Sequence, residues 1–557
     1  MATLVQTDLK SPLELFYTWE KQIPTKKYLH QPIGGQWYTW TWAEAANEIR
    51  RMAAFIDSKG YEPGSRIAIL SRNCAHWIMT DIAIMMSGHI SVPIYPNVNR
   101  QNVNYVLTHS ESKMLFVGKL EPHDWEEMKN GIPEEVSCVN FGRYNLANDD
   151  FPTWDQIIES TEPKTDSPSR DLDEIMTIIY TSGTTGTPKG VVQKFIAPTF
   201  AFNTFMDIFN LGADDRFFSY LPLSHIAERM LIVMGTLNSG ASVHFAQSLD
   251  TFAENLRTCA PTVFLGVPRI WTKFQMGVLA KFSQSKLNIL LAIPILNNVI
   301  KKKIREALGL HCAKICLTGA APIPASLLQW YSRLKLDICE VYGMTENSAY
   351  SHSNIPGATR YGTVGRAMPG VEVKLTDEDE ICVKSLANMV EYYKEPGKTA
   401  EALRDGFLHT GDKGSVDADG FMRITGRVKD LFKTSKAKYV APSPIEMLLA
   451  KNENIEQVCV VGTGIPQPLA LVVLSEDAQE KDKEDVKESL EETYAEVNPS
   501  LEHHEQLQKL VVVKDNWTPE NGVLTPTLKI KRSVIDDRYQ NSYEKWYDGG
   551  KGVIWEN

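Results

Sequence analysis

The chain has 557 residues, 43% of them apolar and 23% charged, with a net charge of −11. That length predicts roughly three to four domain-sized units, and the acidic balance excludes the basic face by which proteins usually hold nucleic acid, so no nucleic-acid partner is expected. Eight cysteines with no CxxC pair suit a reduced compartment, and the opening MATLVQTDLKSPLELF lacks the basic and apolar stretches of a signal peptide, so a cytoplasmic protein is expected.

Elements follow along the chain. Thr41 to Gly60 predicts a helix: Thr41 and Glu44 form a capping box, Trp42, Ala45, Ile49, Met52, Ala53 and Ile56 share one face, and Gly60 closes it. Arg66 to Leu70 predicts a buried strand, Cys74 to Gly88 a helix and Ile90 to Ile94 another strand. Pro261 to Pro268 and Lys314 to Gly319 repeat the strand pattern. Strands alternating with helices predict an α/β fold with largely parallel sheets. From Ser285 to Leu310 an apolar run broken by Pro294 leads into Lys301, Lys302, Lys303 and Arg305. That run is too short to cross a bilayer. It predicts either peripheral contact with an anionic membrane or a helical hairpin with a solvated basic edge. His311, Cys312 and Cys316 read as a strand lead-in, since a metal site would need a fourth ligand. Ser475 to Val497 reads as a solvated, charged helix.

One segment carries chemistry more openly. YTSGTTGTPKG, Tyr180 to Gly190, follows an apolar strand-like run. Small residues let backbone N–H groups converge into an anion-binding nest. Thr181, Ser182, Thr184 and Thr185 add hydroxyls, Gly183 and Gly186 add freedom, and Lys189 tips the loop with a compact cation suited to phosphate. A Walker A loop would place Gly-Lys-Ser/Thr at its end; here Lys189 stands between Pro188 and Gly190. Taken alone, the segment reads either as a phosphate loop or as a polar turn.

The full string resembles the phosphate-binding signature of the adenylate-forming superfamily, which includes acyl-CoA synthetases, luciferases and peptide-synthetase adenylation domains. Further stretches match in the same order: Ser71 to Pro96, LTGAAP (Leu317 to Pro322), VYGMTE (Val341 to Glu346), HTGDKG (His409 to Gly414), ITGRVKD (Ile424 to Asp430) and LTPTLKIKR (Leu524 to Arg532). The resemblance implies an α/β fold. Residues 1–426 would form a large domain of two helix-flanked β-sheets plus a distorted β-barrel. Residues 427–557 would form a small mobile α+β lid hinged at Lys429. It also implies ATP, Mg²⁺ and CoA as reactants or cofactors. Thr181 to Lys189 would hold the β- and γ-phosphates. Thr184 and Glu346 would hold Mg²⁺, and Thr345 would donate to the α-phosphate. Gly319, Ala320 and Ala321 would leave room for adenine, with Tyr342 stacked on it beside Gly343. Asp412, supported by Arg427, would accept from the ribose hydroxyls. Lys529 would bridge the carboxylate and α-phosphate as charge develops.

LPLSHIAER (Leu221 to Arg229) and VPRIW (Val267 to Trp271) resemble long-chain fatty acyl-CoA synthetases. By that resemblance His225 lies near the carboxylate end of a fatty acid, and Trp271 either gates the acyl tunnel or is a core tryptophan. Two departures stand out. Lys194 and Phe195 occupy the place of a usual Ser/Thr-His pair. Ser435-Lys436-Ala437-Lys438 replaces a Gly-rich run beside the pantetheine passage, where Lys436 would reach toward CoA. The expected reaction is ATP-dependent activation of a medium- to long-chain fatty acid followed by thioester formation. An acyl-AMP ligase that does not use free CoA, and a catalytically silent nucleotide or acyl-lipid binding protein, remain alternatives. A homodimer is also left open.

Overall fold

The computed structural model describes residues 9–144, 151–181, 187–525 and 528–556. Two large mixed sheets dominate the first three-quarters of the chain. The seven-stranded sheet runs in the order Glu391–Tyr392, Lys189–Lys194, Ile175–Thr181, Ile90–Ile94, Arg66–Leu70, Met114–Val117, Ser137–Asn140. The nine-stranded sheet has a parallel centre that includes Arg216–Ser219, Val263–Leu265, Ile315–Thr318 and Ile338–Tyr342. Antiparallel pairs sit at the margins, among them Ile175–Thr181 with Lys189–Lys194, so the sheets are parallel inside and mixed at the edges.

The helices between the sheets are those whose patterns are legible. Trp42–Asp57 starts on Thr41 with both halves of the capping box formed, and the six predicted face residues are buried. Ala75–Met86 is buried on every side, as its unbroken apolar sequence requires. Together with Ile196–Phe209 they fill one continuous core between the sheets. Lys194 pairs with Asp173 at 3.1 Å, and Phe195 is buried beneath the Arg170 guanidinium. The departure from Ser/Thr-His thus serves the fold at the start of that helix.

A third sheet of five strands includes Glu380–Lys384, Phe407–Val416 and Met422–Arg427. Strands from Phe432 onward join two other sheets, one a hairpin (Phe432–Lys433 with Tyr439–Val440) and one of four strands. The charged segment near residue 480 forms two helices, Glu476–Gln479 and Lys483–Val497, the latter anchored by buried Val486, Leu490 and Val497. Cys316 is buried within the strand Ile315–Thr318, and burial pushes its thiol up to about 12.

Candidate active site

Gly319 and Thr345 follow the parallel strands Ile315–Thr318 and Ile338–Tyr342 at their carboxyl ends, the usual place for a ligand in such sheets. The phosphate-loop residues Thr181 and Lys189 are cross-strand partners at the base of a hairpin, so Lys189 stands at its root and not at its tip. Ser182, Gly183, Thr184, Thr185 and Gly186 lie outside the described residues. Gly190 is dictated by packing, since a Cβ there would come within 2.8 Å of the Ile178 side chain.

Lys189 Nζ sits 4.7 Å from the centroid of the Tyr392 ring. The Tyr392 hydroxyl donates to Glu346 Oε1 at 2.8 Å. Burial, aided by Glu346, holds the phenol well above its ordinary range, so it remains a donor. Glu346 and Thr345 are buried in a short turn, Thr345–Asn347. The buried Gln193 fixes that turn by donating Nε2–H to the Thr345 carbonyl at 2.7 Å. Tyr392 and Gln193 were not legible as site residues. Neither falls in a matched motif, and the strand pairing that brings Glu391–Tyr392 beside Lys189–Lys194 is set by the fold. The donor suits Mg²⁺: a buried carboxylate held in place by the Tyr392 hydroxyl is the kind of hard-oxygen ligand that ion takes.

Gly319, Ala320 and Ala321 follow the strand Ile315–Thr318. A Cβ on Gly319 would lie 2.9 Å from the Val341 carbonyl, so this glycine admits the neighbouring strand as well as leaving space above it. Ala320, at φ +66°, and Ala321 are exposed in the cleft loop. Gly343 is required by close approach of the Ala349 backbone, 2.4 Å from where its Cβ would be. The Tyr342 hydroxyl donates to Asp412 Oδ2 at 2.7 Å. Arg427 Nε pairs with Asp412 Oδ1 at 2.8 Å, across a pair of adjacent antiparallel strands. Each carboxylate oxygen thereby keeps a lone pair for one further donor, as two vicinal hydroxyls need.

The nearby cluster Glu380, Cys382 and His409 has metal-ligand chemistry. It is already committed: Glu380 accepts the Gly411 N–H at 3.1 Å and lies 2.8 Å from His409 Nδ1, and Arg404 Nη2 is 2.8 Å from the same nitrogen. It braces the part of the strand Phe407–Val416 that presents Asp412.

From beyond residue 430 one side chain reaches back. Lys529 follows a tight loop in which the Thr525 N–H donates to the Lys529 carbonyl at 2.8 Å, and the Lys529 N–H to Thr525 Oγ1 at 3.0 Å. Its ammonium interacts electrostatically with Arg427, Asp412 and Glu346. It keeps some solvent access yet is crowded by protein, and that crowding, with Arg427, lowers its pKa. Lys189 is lowered too, chiefly by burial. His225 is brought down to about 4 by burial and by Lys529, so it is neutral at physiological pH. His225 Nδ1 accepts the Ala227 N–H at 3.2 Å, which puts the ring proton on Nε2 as a donor.

Trp271 is fully buried, and its indole donates to the Gly266 carbonyl at 2.8 Å. Gly266 is fixed by that contact, because a Cβ would lie 2.7 Å from Nε1. Phe264, Phe274 and Tyr331 meet the indole edge-on. Lys436 is exposed in the hairpin loop, and Ala437 takes φ +59° where a glycine would be at ease. Val428 N–H donates to Gly411 O at 2.8 Å just before Lys429.

Fold and site together define an adenylate-forming enzyme. The chain belongs to the AMP-binding enzyme family: that family's model matches residues 16–393, and the model of the AMP-binding enzyme C-terminal domain matches residues 429–551. It is 28% identical to the long-chain-fatty-acid–CoA ligase FadD15 of Mycobacterium bovis over 95% of this chain and 96% of the relative. It is also 28% identical to long chain acyl-CoA synthetase 2 of Arabidopsis thaliana, over 98% and 93% of the two chains. Among solved structures, the A-PCP didomain of carboxylic acid reductase from Segniliparus rugosus, in complex with AMP, superposes with a TM-score of 0.80 at 22% identity, over 98% of this chain and 83% of that one.

Proposed function

We propose that the protein activates a medium- to long-chain fatty acid with ATP and then passes the acyl group to the thiol of CoA. In the first step a carboxylate oxygen attacks the α-phosphorus, and the bond to pyrophosphate breaks. In the second, the CoA sulfur attacks the acyl carbon and AMP leaves. The observation that carries the reading is the convergence of Lys529 with Asp412, Arg427, Glu346 and His225 from the rest of the chain.

Each residue then has one task. Asp412, steadied by Tyr342 and Arg427, accepts the ribose hydroxyls. Lys189, with the rest of the segment 181–189, takes the polyphosphate tail. Glu346, oriented by Tyr392, would hold Mg²⁺ with Thr184, and that ion when bound would neutralise charge on the phosphates. His225 offers its Nε2–H to the carboxylate or the adenylate carbonyl. Lys529 offsets the charge that builds between carboxylate and α-phosphate. The fatty-acid assignment draws support from the names of the relatives and from the apolar, aromatic surround of Trp271.

The test is pyrophosphate release across acids of graded length, with and without CoA. Acid-dependent release with CoA consumption is expected. Release without thiol consumption points to another acceptor, and no release with any acid refutes activation altogether. Lys529→Ala should lower adenylation by about 10²- to 10³-fold while sparing thiolysis of supplied acyl-AMP. Equal loss of both would remove its assigned role.

A further inference from the structure

Residues 284–307 fold as two helices, Gln284–Ala292 and Pro294–Ala307, meeting at Ile293. One side of this hairpin is firmly seated. Leu287, Leu291 and Ile304 are buried in the cluster that contains Trp271, Trp330 and Tyr331. Trp330 Nε1 donates to Gln284 Oε1 at 3.0 Å, Arg333 Nη2 to Asn288 Oδ1 at 2.7 Å, and Asn297 Nδ2 to the Leu291 carbonyl at 2.7 Å. The other side covers nothing. Ile289 is 65% exposed, Ile293 41%, Leu296 41% and Val299 47%. Among the described residues thirteen large apolar side chains are exposed, and four of them fall within residues 289–299. Such clustering marks an interaction site, whereas scattered exposure would not.

Charge says what covers it. Between Gln284 and Ala307 stand Lys286, Lys301, Lys302, Lys303 and Arg305 against the single carboxylate Glu306, in a chain whose net charge is −11. Lys303 lies one turn beyond Val299 and is exposed on the same side. Lys302 is exposed beside it, 3.8 Å from Glu306. An apolar tip rimmed by cations fits an anionic lipid surface, with the apolar groups below the headgroups and the lysines among the phosphates. No helix among the described residues is long and apolar enough to cross a membrane, so contact is in the plane of the interface.

We propose that the hairpin 284–307 is a peripheral docking surface for anionic membranes. Its seated side packs into the cluster that also holds Trp271, so docking would bring that cluster to the membrane side of the molecule. The proposal does not depend on which acid is activated, because its readout is binding alone.

The test is co-sedimentation of the full chain with vesicles of phosphatidylcholine alone, or with 30% phosphatidylglycerol, at about 0.1 M salt. Wild type should bind the anionic vesicles and leave the neutral ones. Each lysine contributes about fivefold in partitioning, so Lys302→Gln with Lys303→Gln should weaken binding by about 25-fold. Ile293→Ser with Leu296→Ser should abolish what remains at high salt. Both double variants change exposed side chains, and unchanged pyrophosphate exchange with a short soluble acid shows that they fold. Equal binding to neutral and anionic vesicles, indifference to both variants, or no binding overturns the proposal. So does a wild-type dimer, seen by light scattering, that the Ile293/Leu296 variant dissolves, since the patch would then be an interface between copies of this chain.

Discussion

Tyr392 is the residue through which two expected ATP contacts meet, and replacing it with phenylalanine separates its two roles. The substitution keeps the ring 4.7 Å from Lys189 Nζ and removes only the hydroxyl that donates to Glu346 Oε1 at 2.8 Å. A cation–π contact of this kind contributes about 0.5–2 kcal/mol and survives. A hydrogen bond to a charged group contributes about 1.5–3 kcal/mol and is lost. Tyr392→Phe should therefore weaken the adenylation step by about 10- to 100-fold. The loss should fall on steps that use the polyphosphate. Acid-dependent exchange of pyrophosphate into ATP is measured over a range of Mg²⁺-ATP concentrations, beside CoA thiolysis of supplied acyl-AMP. A raised Mg²⁺-ATP requirement with unchanged thiolysis is expected. Equal decline of both reactions would mean that Tyr392 merely supports the fold. An unchanged exchange rate would show that Glu346 does not act on the nucleotide.

Three further outcomes are expected. Ala437→Gly relieves a left-handed residue at φ +59° and should stabilise the domain by up to about 1 kcal/mol in denaturant titration, with thioester formation retained; destabilisation would refute the strain. Trp271→Phe should shift the chain-length profile of pyrophosphate release, and an unchanged profile assigns Trp271 to the core alone. Thermal stability should peak near pH 6.5. Burial lowers His30, His225 and His352 to about 4 and His244 to about 3, so each adds stability that is complete above 6.5 and lost as pH falls through its folded value. Glu228 and Glu340 are raised from 4.5 to about 8 by burial, so each adds stability that is complete below 4.5 and lost as pH rises through 8. Of these six groups the four histidines outweigh the two carboxylates on the acid side, with His76, His89 and His109 lowered in the same sense, and between 6.5 and 8 the two carboxylates act without the histidines. Glu228→Gln should flatten that upper limb, and a stability still rising at pH 8 would contradict the assignment.

What was legible in the sequence was local. The capping box at Thr41 and Glu44, the apolar stripe behind it and the strand Arg66–Leu70 depend on residues a few positions apart, and all three formed as read. The motif resemblance pointed to Asp412, Arg427, Glu346 and Lys529 together, and the structure pairs Asp412 with Arg427 and sets Lys529 within electrostatic reach of Asp412, Arg427 and Glu346. Residues that act through pairing between distant strands were hidden. Tyr392 reaches Glu346 across 46 positions, and Gln193 reaches Thr345 across 152. Asn73 and Ser219 donate to the buried Glu228, again from far apart for Asn73. Lys189 reads as a loop tip, whereas the register pairs it with Thr181, because the length of a hairpin's strands is set by the sheet it joins.

If the C-terminal part closes on the cleft as the proposed two-step reaction requires, the charges there predict that closure answers to nucleotide. Lys189 and Lys529 approach the site from the two halves of the chain, and both have lowered pKa values, Lys189 chiefly through burial and Lys529 through crowding by the surrounding protein. Arg427 adds to the effect on Lys529, and Lys529 depresses His225 in turn. A closed cleft without phosphate is therefore short of negative charge. The ion pair of Arg269, two residues before Trp271, with Glu456 does little to offset this, because the arginine is half exposed and such pairs contribute about 0–1 kcal/mol. A triphosphate brings the missing charge, so its binding and closure over Lys529 favour each other. The Lys529 loop cannot respond alone, because Arg532 is held by Asp430 at 3.3 Å and by both oxygens of Glu446, which ties it to the rest of the lid. Departure of pyrophosphate removes most of the added charge and with it the reason for closure. On the proposed reaction the same lysine would serve the first step and release the C-terminal part for the second, and Lys529→Gln should make closure less dependent on nucleotide, read as a smaller ATP-induced change in small-angle scattering. A change as large as that of the wild type would show that closure is driven by contacts other than charge.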